Sequence, residues 1–150
     1  MNWKPFLIEL TELPPAKVAK MDVTFFASLA EEPLSDWESR NEVRLPRSLR
    51  SFYLQSDGME AQKGEWRPVL PLSECELLPQ GCELAEPWLE FGRSLSHRYF
   101  SKLEEPGTIY RVEVFGSDPE FFAQKLEDYF RRIFREAITS DAVSGQAGRR

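Results

Sequence analysis

Histidine occurs once and cysteine twice in these 150 residues, and no glycine-rich fingerprint accompanies them. His97 is thus the one side chain whose ordinary pKa suits proton transfer near neutral pH. Cys75 and Cys82 are too few for a disulfide framework, and they have neither CxxC spacing nor histidine partners for zinc. They read as free thiols, and no nucleophile motif surrounds either one to make a Cys-His pair with His97. GxGxxG, GxxxxGKS/T and GxSxG are all missing, which removes the nucleotide-binding and hydrolase fingerprints. The acidic pairs Glu31-Glu32 and Glu104-Glu105 are sequence neighbours and read as solvated surface rather than as general acid and base. The expectation is a protein with no catalytic centre, no metal and no cofactor.

Long hydrophobic runs are also missing. No window reaches the roughly 18 apolar residues of a membrane span. The N-terminal stretch MNWKPFLIELTELPP interrupts its apolar residues with Glu9 and Glu12 and offers no small-residue cleavage site, unlike a signal peptide. A cytoplasmic protein without membrane contact follows as an expectation. Positive charge is short as well: 19 Lys and Arg stand against 25 Asp and Glu, a net charge of -6. Binding to a phosphate backbone needs the opposite balance, so nucleic acid is not an expected partner.

What the chain does have is a globular composition, 41% hydrophobic and 13% aromatic, at the commonest size of one domain. Lys4 to Leu10 reads as a strand closed by Pro14-Pro15. The spacing of Val18, Met21, Phe25, Phe26 and Leu29 predicts a helix after that break. A short helix is expected to open at Ser35, capped by its hydroxyl with Glu38 reaching back and Trp37 as anchor. LPRSLRSFYLQSDG reads as a third helix, with Pro46 in the first turn, Leu49, Phe52 and Tyr53 as its stripe and Asp57-Gly58 as its stop.

From Met59 the pattern changes to short apolar runs between turns, which suits a meandering antiparallel sheet. The expected strands are Trp66 to Leu70, Trp88 to Phe91, His97 to Lys102 and Thr108 to Phe115, with Pro106-Gly107 turning between the last two. Tyr110, Val112 and Val114 share one face of the fourth strand, and Arg111 and Glu113 the other. Asp118-Pro119 is expected to start a final helix carrying Phe122, Leu126, Tyr129, Phe130, Ile133 and Phe134. The domain is expected over residues 1–139, with 140–150 as a disordered tail. The fold class is α+β: a central, mostly antiparallel sheet with packed helices.

Two kinds of residue stand out as candidates for binding. Trp66 and Trp88 lie at strand ends, where large aromatics either fill the sheet-helix interface or line grooves that anchor a partner. Asp57 to Glu65 is polar and glycine-flanked, an exposed loop of the kind that carries function.

In order along the chain come LPxxLRxFYxxSDG from Leu45 to Gly58, Val69-Leu70-Pro71-Leu72, Trp88 with Phe91-Gly92, and Gly107-x-Ile109-Tyr110. This order resembles the SUKH superfamily, whose members include fungal cell-wall regulators and bacterial immunity proteins that neutralise toxins. The likeness runs from Glu42 to Phe134, and the helix followed by Asp57-Gly58 is its most specific part. It implies an α+β scaffold that binds protein: an immunity protein covering a cognate toxin as a monomer or weak dimer. It carries over no catalytic residues, because Leu45, Leu49 and Phe52 match as core, Gly58 as cap, and Pro71 and Gly92 as turns. Partner contacts are expected at Asp57, Glu60, Glu65, Trp66, Glu74 and Trp88. If the toxin is a nuclease, those carboxylates either stand in for phosphates in its basic cleft or are plain solvated charges. A regulatory scaffold of the same fold, and a small-molecule groove lined by Trp66, Trp88 and Tyr110, are the alternatives.

Overall fold

Eleven phenylalanines, four tryptophans and four tyrosines supply most of the large apolar surface, and their placement sets the layers. The computed structural model describes residues 1–13, 22–61, 66–78, 87–116 and 118–136. Eight strands form one antiparallel sheet: β1 (Val23–Phe25), β2 (Met59–Ala61), β3 (Trp66–Val69), β4 (Glu76–Leu78), β5 (Trp88–Arg93), β6 (His97–Lys102), β7 (Ile109–Glu113) and β8 (Glu120–Ala123). Their order is β1-β2-β3-β5-β6-β7-β8, and β4 shares the β3 side of β5: Leu78 pairs with Trp88 near one end and Arg67 of β3 with Arg93 at the other. The helices are α1 (Trp3–Glu12), α2 (Glu31–Asn41), α3 (Arg47–Gln55) and α4, helical over 126–136. The expected α+β class is therefore what the chain adopts.

The helices gather on one face of the sheet. Tyr129 of α4 makes ring contacts with Phe91, Tyr99 and Phe122, and Phe134 meets Trp66 edge-on at 6.0 Å. Trp3 of α1 packs edge-on to Phe52 of α3 and Phe130 of α4, so these three helices share one aromatic core. Arg50 ties α3 to α2 through Glu31 at 2.5 Å and Glu38 at 3.1 Å.

Four expectations need correction. Lys4 to Leu10 is not a strand: Trp3, Leu7 and the partly buried Phe6 and Leu10 follow 3 and 4 spacing, one helix face in a segment too short to display it. The helix expected at 18–29 is absent from its described part, where Val23–Phe25 pairs with Met59–Ala61 as β1 and Phe26 to Ala30 is irregular. The spacing of five apolar residues there was coincidental with a 3.6 period; tertiary pairing decided the local structure. The capping box at Ser35 does not form, because α2 begins one turn earlier and Glu38 turns its carboxylate to the Leu45 N–H and Arg50 instead. The final helix begins near Leu126, since Phe122 belongs to β8.

The third expected helix forms as α3, with Pro46 at its N-cap rather than inside its first turn. Gly58 follows it at φ +105, where a side chain would be strained and would meet the backbone of Val69 and Pro71 at 3.0 Å. The turn at Pro106-Gly107 stands between β6 and β7, and the Glu105-Pro106 peptide is cis. The expected tail from 140 lies outside the described residues.

Candidate protein-interaction face

The sheet face turned away from the helices carries Trp88, Glu90 and Arg93 on β5, Arg98, Phe100 and Lys102 on β6, Tyr110 and Val112 on β7 and Phe121 on β8. Register places them together: Glu90 pairs with Phe100, Phe100 with Tyr110, and Tyr110 with Phe121. The ring of Trp88 stacks on Tyr110 at 4.7 Å and 24°, and Phe121 meets Tyr110 edge-on at 6.1 Å. Lys102 sits over the same tyrosine at 5.5 Å. No ring, hydrogen-bond or ion-pair contact joins this row to a helix of the described residues.

Apolar exposure extends past the row. Phe121 is 57% exposed, and at the sheet end Leu95 and Phe115 stand 81% and 102% exposed on neighbouring turns joined by the Val114 N–H to Ser96 carbonyl bond. Large apolar side chains left exposed on a domain surface are candidates for an interaction site. Tyr110 and Val112 were legible as one face of β7, and it is the face that looks away from the helices, while Ile109 and Arg111 look toward them; the strand stops at Glu113, so Val114 and Phe115 lie on the turn beyond the expected end.

A β-bulge builds the polar half of the face. Residues three apart on a regular strand point to opposite sides, but the register shifts between Glu90 and Gly92, so Glu90 and Arg93 share one side. Arg93 then donates through Nε and Nη2 to Glu90 Oε2 at 3.0 and 2.6 Å, and Arg98 through Nε to Oε1 at 2.5 Å. Glu90 is fully buried beneath them. This network escaped the sequence reading because the bulge leaves no mark in the residue pattern; the alternation Arg98, Phe100, Lys102 was the one available signal.

The six residues singled out from the sequence do not form one cluster. Trp66 is buried on the helix side against Phe134, whereas Trp88 and Tyr110 are on the opposite face, so the groove expected from these three aromatics does not exist. Asp57 accepts the Leu72 N–H at 2.9 Å and fastens the turn at 72–74 to the end of α3. The expected exposed loop at Asp57 to Glu65 is, in its described part, the strand β2, with Met59 and Ala61 buried; Glu60 is half-buried on it, opposite Thr24. Glu74 receives Arg67 Nη2 at 2.6 Å, and that hydrogen bond holds its carboxyl below the usual glutamate value. Glu65 lies outside the described residues. Of the six, Trp88, itself half-buried, is the one within the outer aromatic row.

Chemistry-bearing groups elsewhere are tied down. Cys75 lies 3.0 Å from the hydroxyl of Tyr53, and burial pushes its thiol up to about 12, far from a reactive thiolate. Cys82 lies outside the described residues. His97 Nδ1 meets Ser96 Oγ at 2.8 Å on an exposed turn, and burial together with Arg111 lowers its pKa below the ordinary 6.5. Among the described residues no group of three or more His, Cys, Asp and Glu is placed to hold a metal, and no helix is long and apolar enough to cross a membrane. No family model matches the sequence and no curated protein matches it, so the likeness to the SUKH superfamily rests on the order of motifs alone.

Proposed function

We propose that this chain is a non-catalytic, cytoplasmic immunity protein that binds a cognate bacterial toxin, and that the sheet face turned away from the described helices is where the toxin sits. The observation that carries the reading is the Trp88-Tyr110-Phe121 row: Tyr110 contacts the rings of both Trp88 and Phe121, and the row ends in a 57% exposed phenylalanine whose ring partner among the described residues is Tyr110. Tryptophan and tyrosine dominate binding hot spots because they bury much area with few rotatable bonds. The motif order that resembles the SUKH superfamily supplies the class of partner.

The test is co-expression with the product of each neighbouring gene, scoring growth rescue and co-purification. Rescue with a complex that Phe121→Ser weakens supports the proposal. A toxic neighbour that this chain neither rescues nor binds overturns it and favours the regulatory scaffold of the same fold.

A further inference from the structure

Three arginines stand side by side in register on the outer face: Arg67 of β3 opposite Arg93 of β5, and Arg93 opposite Arg98 of β6. Like charges directly opposite one another on a sheet are unfavourable, so such a row needs a reason. Part of it is internal, since Glu74 holds Arg67 and the buried Glu90 holds both Arg93 and Arg98. The internal carboxylates do not use up the donors. A guanidinium has five N–H groups. Among the described residues, Arg98 spends only Nε on Glu90, Arg93 makes no hydrogen bond through Nη1, and the buried Nε of Arg67 has no acceptor. The side chains of Arg93 and Arg98 are 47% and 38% exposed, so the unused nitrogens are reachable from outside.

Charge on this face points the same way. Among the described residues, Arg67, Arg93, Arg98 and Lys102 face Glu60, Glu74, Glu76 and Glu90, a balanced face on a chain whose net charge is -6. An acidic partner therefore meets less repulsion here than over the molecule as a whole, while a face with no net positive charge does not suit a polyphosphate backbone.

We infer that the arginine row receives carboxylate side chains of the protein partner, while the adjoining Trp88-Tyr110-Phe121 row receives its apolar side chains. This deepens the protein-binding reading and rests on it. Glu90 is then a positioning residue: buried and shared, it fixes two planar forks in the orientation that bidentate carboxylate recognition requires. Arg98 and Lys102 are four residues apart on one strand, about 13 Å at the rise of an extended chain. An extended acidic segment with carboxylates four residues apart and an aromatic between them matches that spacing.

The probe is the peptide Glu-Ser-Phe-Ser-Glu, titrated into the full chain while the arginine Nε–H and Trp88 indole N–H signals are followed by NMR. The expected result is saturable shifts at Arg93, Arg98 and Trp88, weakened by salt. The acidic peptide with Lys102→Glu should bind about fivefold more weakly, the size of one surface ion pair, and Gln-Ser-Phe-Ser-Gln, which lacks both carboxylates, about 25-fold. Arg98→Lys keeps the charge, loses the fork and should also weaken binding, with the melting temperature as the control for folding. Equal binding of the glutamine or a lysine peptide, or the same arginine shifts from oligothymidylate or inorganic phosphate at lower concentration, overturns the inference. Full growth rescue by Lys102→Glu and Arg98→Lys also overturns it but leaves the protein-binding reading standing. If the wild-type chain itself gives no rescue, that reading fails, and the peptide titration still decides this one.

Discussion

The hydroxyl of Tyr129 donates to the carbonyl of Pro68 at 2.7 Å, and a Cβ at position 92 would fall 2.5 Å from that carbonyl oxygen and 2.7 Å from the hydroxyl. Both neighbours are fixed, one as backbone of β3 and the other as a fully buried ring of α4, so neither can step aside. Gly92→Ala should destabilise the fold by about 3 kcal/mol, the range of overpacking and broken buried hydrogen bonds. Tyr129→Phe should cost about 1–2 kcal/mol, because it orphans the Pro68 carbonyl without inserting volume. Urea unfolding of the two variants checks both values. If Gly92→Ala is neutral, the close approach of β3, β5 and α4 at this point is wrong.

The network of Glu90, Arg93 and Arg98 should behave as a unit. Removing the carboxylate with Glu90→Ala exposes two unpaired guanidiniums to each other, and should cost about 2 kcal/mol, below the range for fully buried pairs because both arginines reach solvent. Removing Arg93 alone leaves Glu90 with Arg98 and should cost less. A double-mutant cycle between positions 93 and 98 should therefore be non-additive, since the first loss leaves the second arginine as the buried carboxylate's last partner. Additive losses within experimental error would mean the two arginines act independently.

The sequence was most legible where local chemistry and tertiary packing agree. Leu49, Phe52 and Tyr53 have a helical stripe, an N-terminal proline and a following Ser56-Asp57-Gly58, and α3 forms over Arg47–Gln55. His97 to Lys102 alternates, is bounded by turns and forms β6 with the bounds expected. The short strands β1, β2, β4 and β8 were not legible, because three or four residues cannot show a period; each exists only through the strand beside it. Trp88 was named from the sequence for its size, but its stacking on Tyr110 depends on the pairing of β5 through β6 to β7, which no local pattern announces. Arg93 and Arg98 were passed over because their common partner Glu90 is brought under them by a bulge.

Cys75 should be chemically silent in the native protein. Its sulfur is shut in by Tyr53, and burial disfavours the thiolate that alkylation needs. In a Cys82→Ser background, iodoacetamide at pH 8 should label Cys75 at a rate limited by opening of the fold, and rapidly in denaturant. Fast native labelling would show the site to be open. Tyr53→Phe removes the hydroxyl that donates to the Leu70 carbonyl at 2.6 Å, and should speed the reaction by loosening the same corner.

His97 gives the fold a pH dependence of definite sign. Its ring faces Arg111 and its register partner Glu113, with Glu120 and Glu136 bound to Arg111 and Ser96 bonded to Nδ1. Burial and then Arg111 lower its pKa below 6.5, against the smaller opposing pull of the three glutamates. The folded state thus binds the proton less readily than the unfolded chain. The stabilising contribution is fully present above 6.5 and is lost as pH falls through the lowered folded value. Glu31, Glu74 and Glu120 are held below their usual 4.5 by hydrogen bonds from Arg50, Arg67 and Arg111 respectively, so their contributions fade only at more acidic pH. The melting temperature should therefore fall in two stages, a shallow one below about pH 6.5 and a steeper one below about pH 4.5, the unfolded imidazole and carboxylate ranges. His97→Gln should remove the first stage and leave the second. Scanning calorimetry of both proteins from pH 8 to about pH 2.5 decides it, and an unchanged slope between pH 7 and pH 5.5 in the variant would show that His97 is not its source.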